Sequence, residues 1–376
     1  MNRPDIVYIG YIGGLGGEGQ QVFTLATRTA LAGKKTLLVL PNLPKIRELT
    51  TRFPTTTNLE VILTEKIKFN TGAQNPADVF NLLWQHRNAP VLHLHTGDIC
   101  LPRMTSLALA ILRPPHAFVT IHCPNPEMPF GSARANFWAN IVRKYVRRVI
   151  SPSEEGRKIQ IAYGVPEQKA VAIHNGVDAA KYAGGNGATI RATLGLKLET
   201  PLVVYAARLY PQKRPLDAAQ VFARVAAVRP DVHFAFIGSG PMEEEADAAL
   251  RHFPDPARLH RFVQQDNIPD WLAASTIWLF PTEAENLSIA VAEATAAGCS
   301  IVSTTCPSNE EILTSGENAF LVPVGDVDAM TEATLRLLDD TSLRERFSAN
   351  ARKTSARFTR ETMAASHLAV YSSTNA

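Results

Sequence analysis

The chain is predicted to be an α/β protein of two parallel-sheet domains of similar size, and three observations carry that expectation. Short apolar runs of strand length alternate with helical patterns along almost all of its 376 residues, the signature of βαβ units. The alternation restarts after a Gly-rich stretch, Ala183–Ala188, which reads as a flexible crossing between two halves. Finally, Pro281–Gly298 sets a polar loop and a helix start directly behind the apolar run Thr276–Phe280. That is where open parallel sheets bind ligands.

Composition narrows the class. The length leaves room for two domains, and an apolar fraction of 45% supports ordinary cores. Lys and Arg number 38 against 35 Asp and Glu, a net charge of +3, too small to argue for a nucleic-acid partner. Cys100, Cys123, Cys299 and Cys306 show no CxxC or zinc spacing, so reduced thiols are expected. Met1–Pro4 lead straight into a first strand rather than a signal peptide. No apolar run approaches the ~20 residues that span a bilayer. A cytoplasmic protein is the expectation.

In the first half, Ile6–Gly10 is a strand, a glycine-rich loop follows, a helix runs from about Gln20 to Leu31, and Lys35–Leu40 is the second strand. The loop holds a GxGxxG match in Gly14, Gly16 and Gly19. A dinucleotide fingerprint also needs a short turn and an acid at the end of the second strand. This loop is long and the strand ends Leu40-Pro41-Asn42, so that reading is set aside. Clustered glycines still mark close backbone approach to a ligand.

Strands recur at Leu59–Leu63, Val91–His95 and Ala117–His122, with helices at Ala77–His86 and Met104–Leu112 between them. His93 and His95 point the same way and His122 ends the next strand, but no carboxylate or cysteine is placed to complete a zinc site. They read as polar groups at a sheet edge. Arg134–Arg148 is helical, with Phe137, Trp138, Ile141 and Val142 on one side and Arg143, Lys144, Arg147 and Arg148 among them. A basic amphipathic helix can lie on an anionic membrane. The preferred reading is a helix packed on the sheet with a solvated basic rim, and peripheral membrane contact through 134–148 stays open. Val149–Ser151 is a strand, Ser153 starts a polar helix, and Val171–Ile173 leads to the turn Asn175-Gly176-Val177-Asp178. Domains of 1–175 and 176–358, with a C-terminal helix at 359–376, are expected.

In the second half, Leu202–Ala206 is a strand, Arg208 and Lys213 flank a Pro-containing loop, and Pro215–Val228 is a helix. His233–Ile237 precedes Gly238-Ser239-Gly240-Pro241 and an acidic helix. Arg261–Val263, Ile277–Phe280 and Ser300–Ser303 continue the strands, and Val327–Asp339, Ser342–Thr354 and Thr359–Tyr371 are helices. Within Pro281–Gly298 the helix begins near Ile289 and stops at Gly298, a C-cap glycine. Glu285 falls in the loop and Glu293 in the helix. Asn286, Leu287 and Ser288 put backbone N–H groups at a helix N-terminus, an anion site. Amides can meet an anionic ligand here while carboxylates grip its hydroxyls.

Taken together these residues resemble the family-4 retaining glycosyltransferases, over nearly the whole chain. The resemblance rests on Gly16-Gly17-Glu18, the strand end at His122, Asn175-Gly176-Val177-Asp178, Ala207-Arg208-Leu209 with Lys213, Gly238-Ser239-Gly240-Pro241, and Glu285 paired with Glu293. It implies two facing Rossmann-like domains with a cleft between them, the GT-B architecture. It also implies transfer of a hexosyl group from a UDP- or GDP-linked sugar to a hydroxyl acceptor, with the leaving phosphate taking the acceptor's proton in a front-face attack. Arg208 and Lys213 would hold the diphosphate, helped by the amides of Asn286, Leu287 and Ser288. Glu285 would accept hydrogen bonds from sugar hydroxyls and Glu293 from the ribose. His122 would contact the sugar, and Gly16 and Gly17 the phosphates or the acceptor. The sequence departs from the family where Gly-Phe-Gly usually follows the first glutamate; here stand Asn286-Leu287-Ser288.

No cofactor is expected. Asp326-Val327-Asp328 matches a metal-binding DxD, yet it follows Val324-Gly325 and opens a helix, so Asp326 reads as an N-cap and transfer as metal-independent. Two other readings share the architecture: a catalytically silent nucleotide-sugar-binding subunit and a two-domain sugar-nucleotide epimerase. The acceptor and the oligomeric state are not legible.

Overall fold

The computed structural model describes residues 3–12, 17–53, 56–67, 75–98, 100–122 and 131–373. Gly14, Gly16 and most of the loop after His122 lie outside them. The chain forms two compact units, Met1–Gly176 with Arg360–Ala376, and Val177–Thr359.

The first unit begins with β1 (Ile6–Tyr11), α1 (Gly17–Leu31), β2 (Thr36–Pro41), α2 (Pro44–Thr51), β3 (Leu59–Thr64), α3 (Pro76–His86) and β4 (Val91–Thr96). It continues through α4 (Arg103–Leu112), β5 (Ala117–Ile121), α5 (Ala133–Tyr145), β6 (Arg148–Ser151), α6 (Glu154–Ala162) and β7 (Ala170–Ala172). Its seven strands are all parallel, in the order β3-β2-β1-β4-β5-β6-β7.

The second unit opens with α7 (Ala179–Ala183), α8 (Gly187–Thr193), β8 (Leu202–Ala206), α9 (Pro215–Val228), β9 (His233–Ile237), α10 (Glu243–Leu250) and β10 (Leu259–Phe262). Then come α11 (Ile268–Ala274), β11 (Ile277–Phe280), α12 (Ile289–Ala297), β12 (Ile301–Thr304), α13 (Pro307–Glu310), β13 (Ala319–Val322), α14 (Val327–Asp339) and α15 (Thr341–Ser355). Its parallel sheet runs β10-β9-β8-β11-β12-β13. The last helix, α16 (Arg360–Ser373), belongs to the first unit.

Away from edge strands such as β3 and β10, both sheets bury both faces, as parallel sheets do when crossover helices cover them. Neighbouring residues of a strand therefore enter opposite cores. Val7 and Ile9 pack with Leu94, Trp138 and Val142 on one side, while Tyr8 packs with Phe23, Phe118 and Tyr371 on the other. In the second unit, Val203 and Tyr205 face Phe222 and Phe236, and Leu202 and Val204 face Trp278 and Ala292. Asp326 caps α14, accepting from Ala329 N at 2.9 Å.

Three local expectations change. The helix read as Arg134–Arg148 stops at Tyr145; Val146 is extended, and Arg148 already pairs with Phe118 in the sheet. Its apolar residues Trp138, Ile141 and Val142 are core, which leaves Arg143 and Lys144 exposed. The stretch Ala183–Ala188 is not a loose crossing but the junction of α7 and α8. A Cβ on Gly187 would lie 2.5 Å from the carbonyl oxygen of Ala273, so glycine here lets α8 pack against α11. The strand read as Arg261–Val263 is Leu259–Phe262, because its pairing with β9 begins at Leu259 and Phe234.

Four histidines meet inside the first unit. His93 lies between Tyr371 Oη, at 2.6 Å, and Thr120 Oγ1, at 2.8 Å, and its ring lies 4.1 Å from that of His95. His95 Nδ1 is 3.0 Å from His122 Nε2, and His367 Nδ1 is 2.9 Å from the Met363 carbonyl. Burial, with neighbouring imidazoles adding to it, holds His93 and His95 well below the usual range. Burial also lowers His122 to about 3 and His367 to about 4. These rings are neutral when folded and protonate near pH 6.5 when unfolded. The unfolded chain therefore binds more protons as pH falls below about 6.5, and stability declines from there down to the folded values. Urea unfolding of the first unit is expected to need less denaturant at pH 5 than at pH 7, by on the order of 1–2 kcal/mol per histidine. A midpoint unchanged over that window would show that burial does not hold these rings neutral.

Candidate active site

Each sheet reverses its strand order beside its first strand. In the second unit the reversal falls between β8 and β11, and the loops leaving these strands must diverge there, opening a crevice at their carboxyl ends. The loop after β8 carries Arg208 and Lys213; the loop after β11 carries Glu285, Asn286, Leu287 and Ser288.

Arg208 is positioned by backbone. Leu209 N donates to Ser239 O at 2.9 Å, and a Cβ on Gly238 would lie 2.0 Å from Ala207 O. Gly238 has φ +153°, so only glycine lets the Gly238-Ser239-Gly240 turn press against the strand exit. The guanidinium of Arg208 is exposed, 5.1 Å from the Tyr210 ring centroid. Among the described residues no carboxylate pairs with it.

Lys213 closes a single 3-10 turn, Pro211–Lys213, followed by Arg214 in the left-handed region at φ 47° and by Pro215 at the start of α9. Tyr205 Oη donates to Lys213 O at 3.2 Å. The ammonium lies 5.2 Å from the Phe280 ring and forms an ion pair with Glu285. The two side chains are only 11% and 12% exposed, so each charge depends on the other for the solvation it has lost. The Thr282 hydroxyl sits 3.0 Å from both Glu285 Oε1 and Gln212 O. Glu283 N donates to Gln212 O at 2.8 Å, and Thr282 N to Thr304 Oγ1 at 3.0 Å. The two loops are thus fastened to each other and to the end of β12.

Ser288 is the N-cap of α12, its hydroxyl accepting from Val291 N at 3.3 Å. The Leu287 side chain is buried in the core, so only its backbone can reach a ligand. Gly298 ends α12 in the left-handed conformation, φ 74°. The helix is buried on several sides between α7 and α15, and Glu293 projects from it half-buried. Tyr182 of α7 donates its hydroxyl to the Glu293 carboxylate. Sequence reasoning missed Tyr182, because nothing local links residues 111 positions apart.

His122 and Gly17 belong to the first unit. His122 follows β5, its N–H donating to Thr96 O at 2.8 Å and its ring held against His95. Gly17 opens α1 and is exposed. Gly16 lies outside the described residues. Among the described residues no group of three or more His, Cys, Asp or Glu is placed to hold a metal ion.

Comparison with known proteins fits this arrangement. Residues 15–181 match the model of Glycosyltransferase Family 4, and residues 187–354 match that of Glycosyl transferases group 1. This chain belongs to the family-4 glycosyltransferases. A D-inositol 3-phosphate glycosyltransferase of Kribbella flavida is 23% identical over 272 residues, 68% of this chain and 64% of that one. A UDP-Gal:alpha-D-GlcNAc-diphosphoundecaprenol alpha-1,3-galactosyltransferase of Escherichia coli is 28% identical over 215 residues, 55% of each chain. The match thus spans less than two thirds of the length of these relatives. The crystal structure of Anabaena HepE in complex with UDP shares the fold with a TM-score of 0.78 at 18% identity, over 98% of this chain and 100% of that one. The architecture is the GT-B fold of glycosyltransferases.

Replacing Lys213 by Met leaves a desolvated carboxylate without its counter-charge, a loss of about 2–4 kcal/mol. Adding Glu285→Gln is expected to recover part of it, so that a double-mutant cycle by urea denaturation gives a coupling of about 1–3 kcal/mol. Strictly additive effects would show that the pair does not hold the two loops.

Proposed function

We propose that this glycosyltransferase moves a hexosyl group from a nucleoside-diphosphate sugar, UDP- or GDP-linked, to a hydroxyl acceptor with retention of anomeric configuration and without a metal ion. One observation carries the reading: a lysine and a glutamate, paired and desolvated, stand on adjacent loops at the strand-order reversal of the second sheet, beside a helix N-terminus. Departure of a nucleoside diphosphate needs positive charge fixed in advance at the leaving oxygens. Arg208 and Lys213 supply it, Arg208 with a fork able to take a phosphate bidentately, and the amides of Asn286, Leu287 and Ser288 add the helix N-terminus.

Donor binding changes the partners of both carboxylates. As the diphosphate takes over Lys213, Glu285 turns its oxygens to sugar hydroxyls, and Glu293 accepts from the ribose. His122, neutral at ordinary pH, offers the sugar a hydrogen bond without adding charge, and Gly16 and Gly17 keep backbone clear for the phosphates or the acceptor. Support for a nucleotide sugar comes from the UDP-Gal donor of the Escherichia coli relative and from the UDP held by HepE. The alpha linkage named for that relative supports retention.

Thermal stabilisation by UDP, GDP and ADP sugars identifies the donor, and product analysis with candidate acceptors reads transfer. Lys213→Ala is expected to lower kcat by about 3 kcal/mol of transition-state stabilisation, and activity within a few-fold of the parent would remove Lys213 from the diphosphate. Glu293→Gln is expected to weaken nucleotide binding by about 1–2 kcal/mol, with kcat nearly unchanged. Chelator is expected to leave turnover intact; loss restored by Mn would overturn metal independence. Tight nucleotide binding without transfer to any acceptor would mark a silent binding subunit.

A further inference from the structure

The charge of this chain is unevenly placed. Between residues 99 and 153 there are seven Lys and Arg (103, 113, 134, 143, 144, 147 and 148) and one acid, Glu127, leaving 31 basic and 34 acidic residues elsewhere. The net positive charge therefore resides in the segment that folds as α4, α5 and their flanks. Three of these side chains, joined by Lys169 from outside the segment, surround one place. Arg113 and Arg147, with Lys144 and Lys169, line an open cleft of about 290 Å³ where α4 and α5 end. Lys169 is fastened there by donating to the carbonyls of Val142, Arg143 and Val146 at 2.8–2.9 Å.

Next to this cleft the surface is apolar. On α4, Leu107 and Ile111 are 44% and 58% exposed, and Trp84 on α3 is 48% exposed. Pro76, Phe80, Met104, Leu107 and Ile111 line a shallow groove of about 320 Å³ between the two helices. Arg87 lies 3.5 Å over the Trp84 ring, and Arg103 opens α4. Asp78 is the one acidic residue of α3 and α4. Contiguous exposed apolar side chains rimmed by one sign of charge mark an interaction surface. An anionic bilayer offers both complements, acyl chains for Leu107 and Ile111 and phosphates for the cleft. The basic helix α5 adds little to the apolar part, since its Trp138, Ile141 and Val142 are core and Phe137 alone of its large apolar side chains is exposed.

We propose that α3 and α4, with the basic cleft at the end of α4 and α5, dock this protein on an anionic lipid surface. No described helix is long and apolar enough to cross a membrane. The contact involves none of the residues assigned to the donor and stands or falls apart from that assignment.

The test is co-sedimentation of the full chain with vesicles of phosphatidylcholine, alone or mixed with phosphatidylglycerol. Three of the four tryptophans are 1–3% exposed and Trp84 is not, so quenching by brominated acyl chains reports Trp84. Binding that needs phosphatidylglycerol, weakens at high salt and quenches Trp84 is expected. Leu107→Glu/Ile111→Glu and Arg113→Glu/Lys144→Glu should each lower partitioning by on the order of tenfold, with circular dichroism unchanged. Lys353→Glu, on α15, should leave partitioning as it is. Absence of binding to phosphatidylglycerol vesicles overturns the proposal, as does binding that survives both double variants. A dimer in solution that Leu107→Glu/Ile111→Glu disperses, without vesicle binding, would assign the face to a second copy and equally overturn it.

Discussion

The site depends on one ion pair. Lys213 and Glu285 lie 72 residues apart and meet only because β8 and β11 are neighbours where the strand order reverses. Their loops leave the sheet in diverging directions, and the pair, with Thr282, Gln212 and Thr304, ties them back together. Two charges withdrawn from water can persist only if each neutralises the other. A ligand that brings its own negative charge and its own hydroxyl donors replaces both halves of that bond at once. The free site is thus satisfied without being committed, which suits a substrate that must enter and leave.

Around the pair, rigidity comes from backbone. Gly238 brings one turn against the exit of β8 and so fixes the start of Arg208, while Gly298 ends α12 and sets the helix whose N-terminus faces the crevice. The first unit uses side chains to similar effect. Buried His93, held between Tyr371 and Thr120, joins the C-terminal helix to β4 and β5, and His95 holds the ring of His122. Because burial keeps these rings neutral, the hydrogen bonds that orient His122 hold through the neutral range and weaken in acid.

Much of the fold was legible because parallel strands are short, fully buried apolar runs and their crossover helices alternate with them. Elements with weak local signals were not. The strand Ala319–Val322 and the helices Pro44–Thr51 and Ile268–Ala274 are short, and only their packing defines them. The glycines near 185 look like a linker in one dimension, yet in the fold they are where α8 packs against α11. The amphipathic pattern of α5 is real, but periodicity does not say what covers an apolar face. The core covers Trp138, Ile141 and Val142 and leaves Phe137 out, while Leu107 and Ile111 of α4 are exposed.

By itself the sequence determined the α/β class, the parallel sheets and the family, since strand-length apolar runs and residues at strand ends are local patterns. It also singled out Arg208, Lys213, Glu285 and Glu293, each by its place behind a strand or in a helix. Tertiary structure alone decided that Lys213 and Glu285 form a desolvated pair, that Tyr182 holds Glu293, and that Leu287 offers only its backbone. Partnership and burial depend on which segments the sheet order brings together, and that order arises from packing distant strands into one layer.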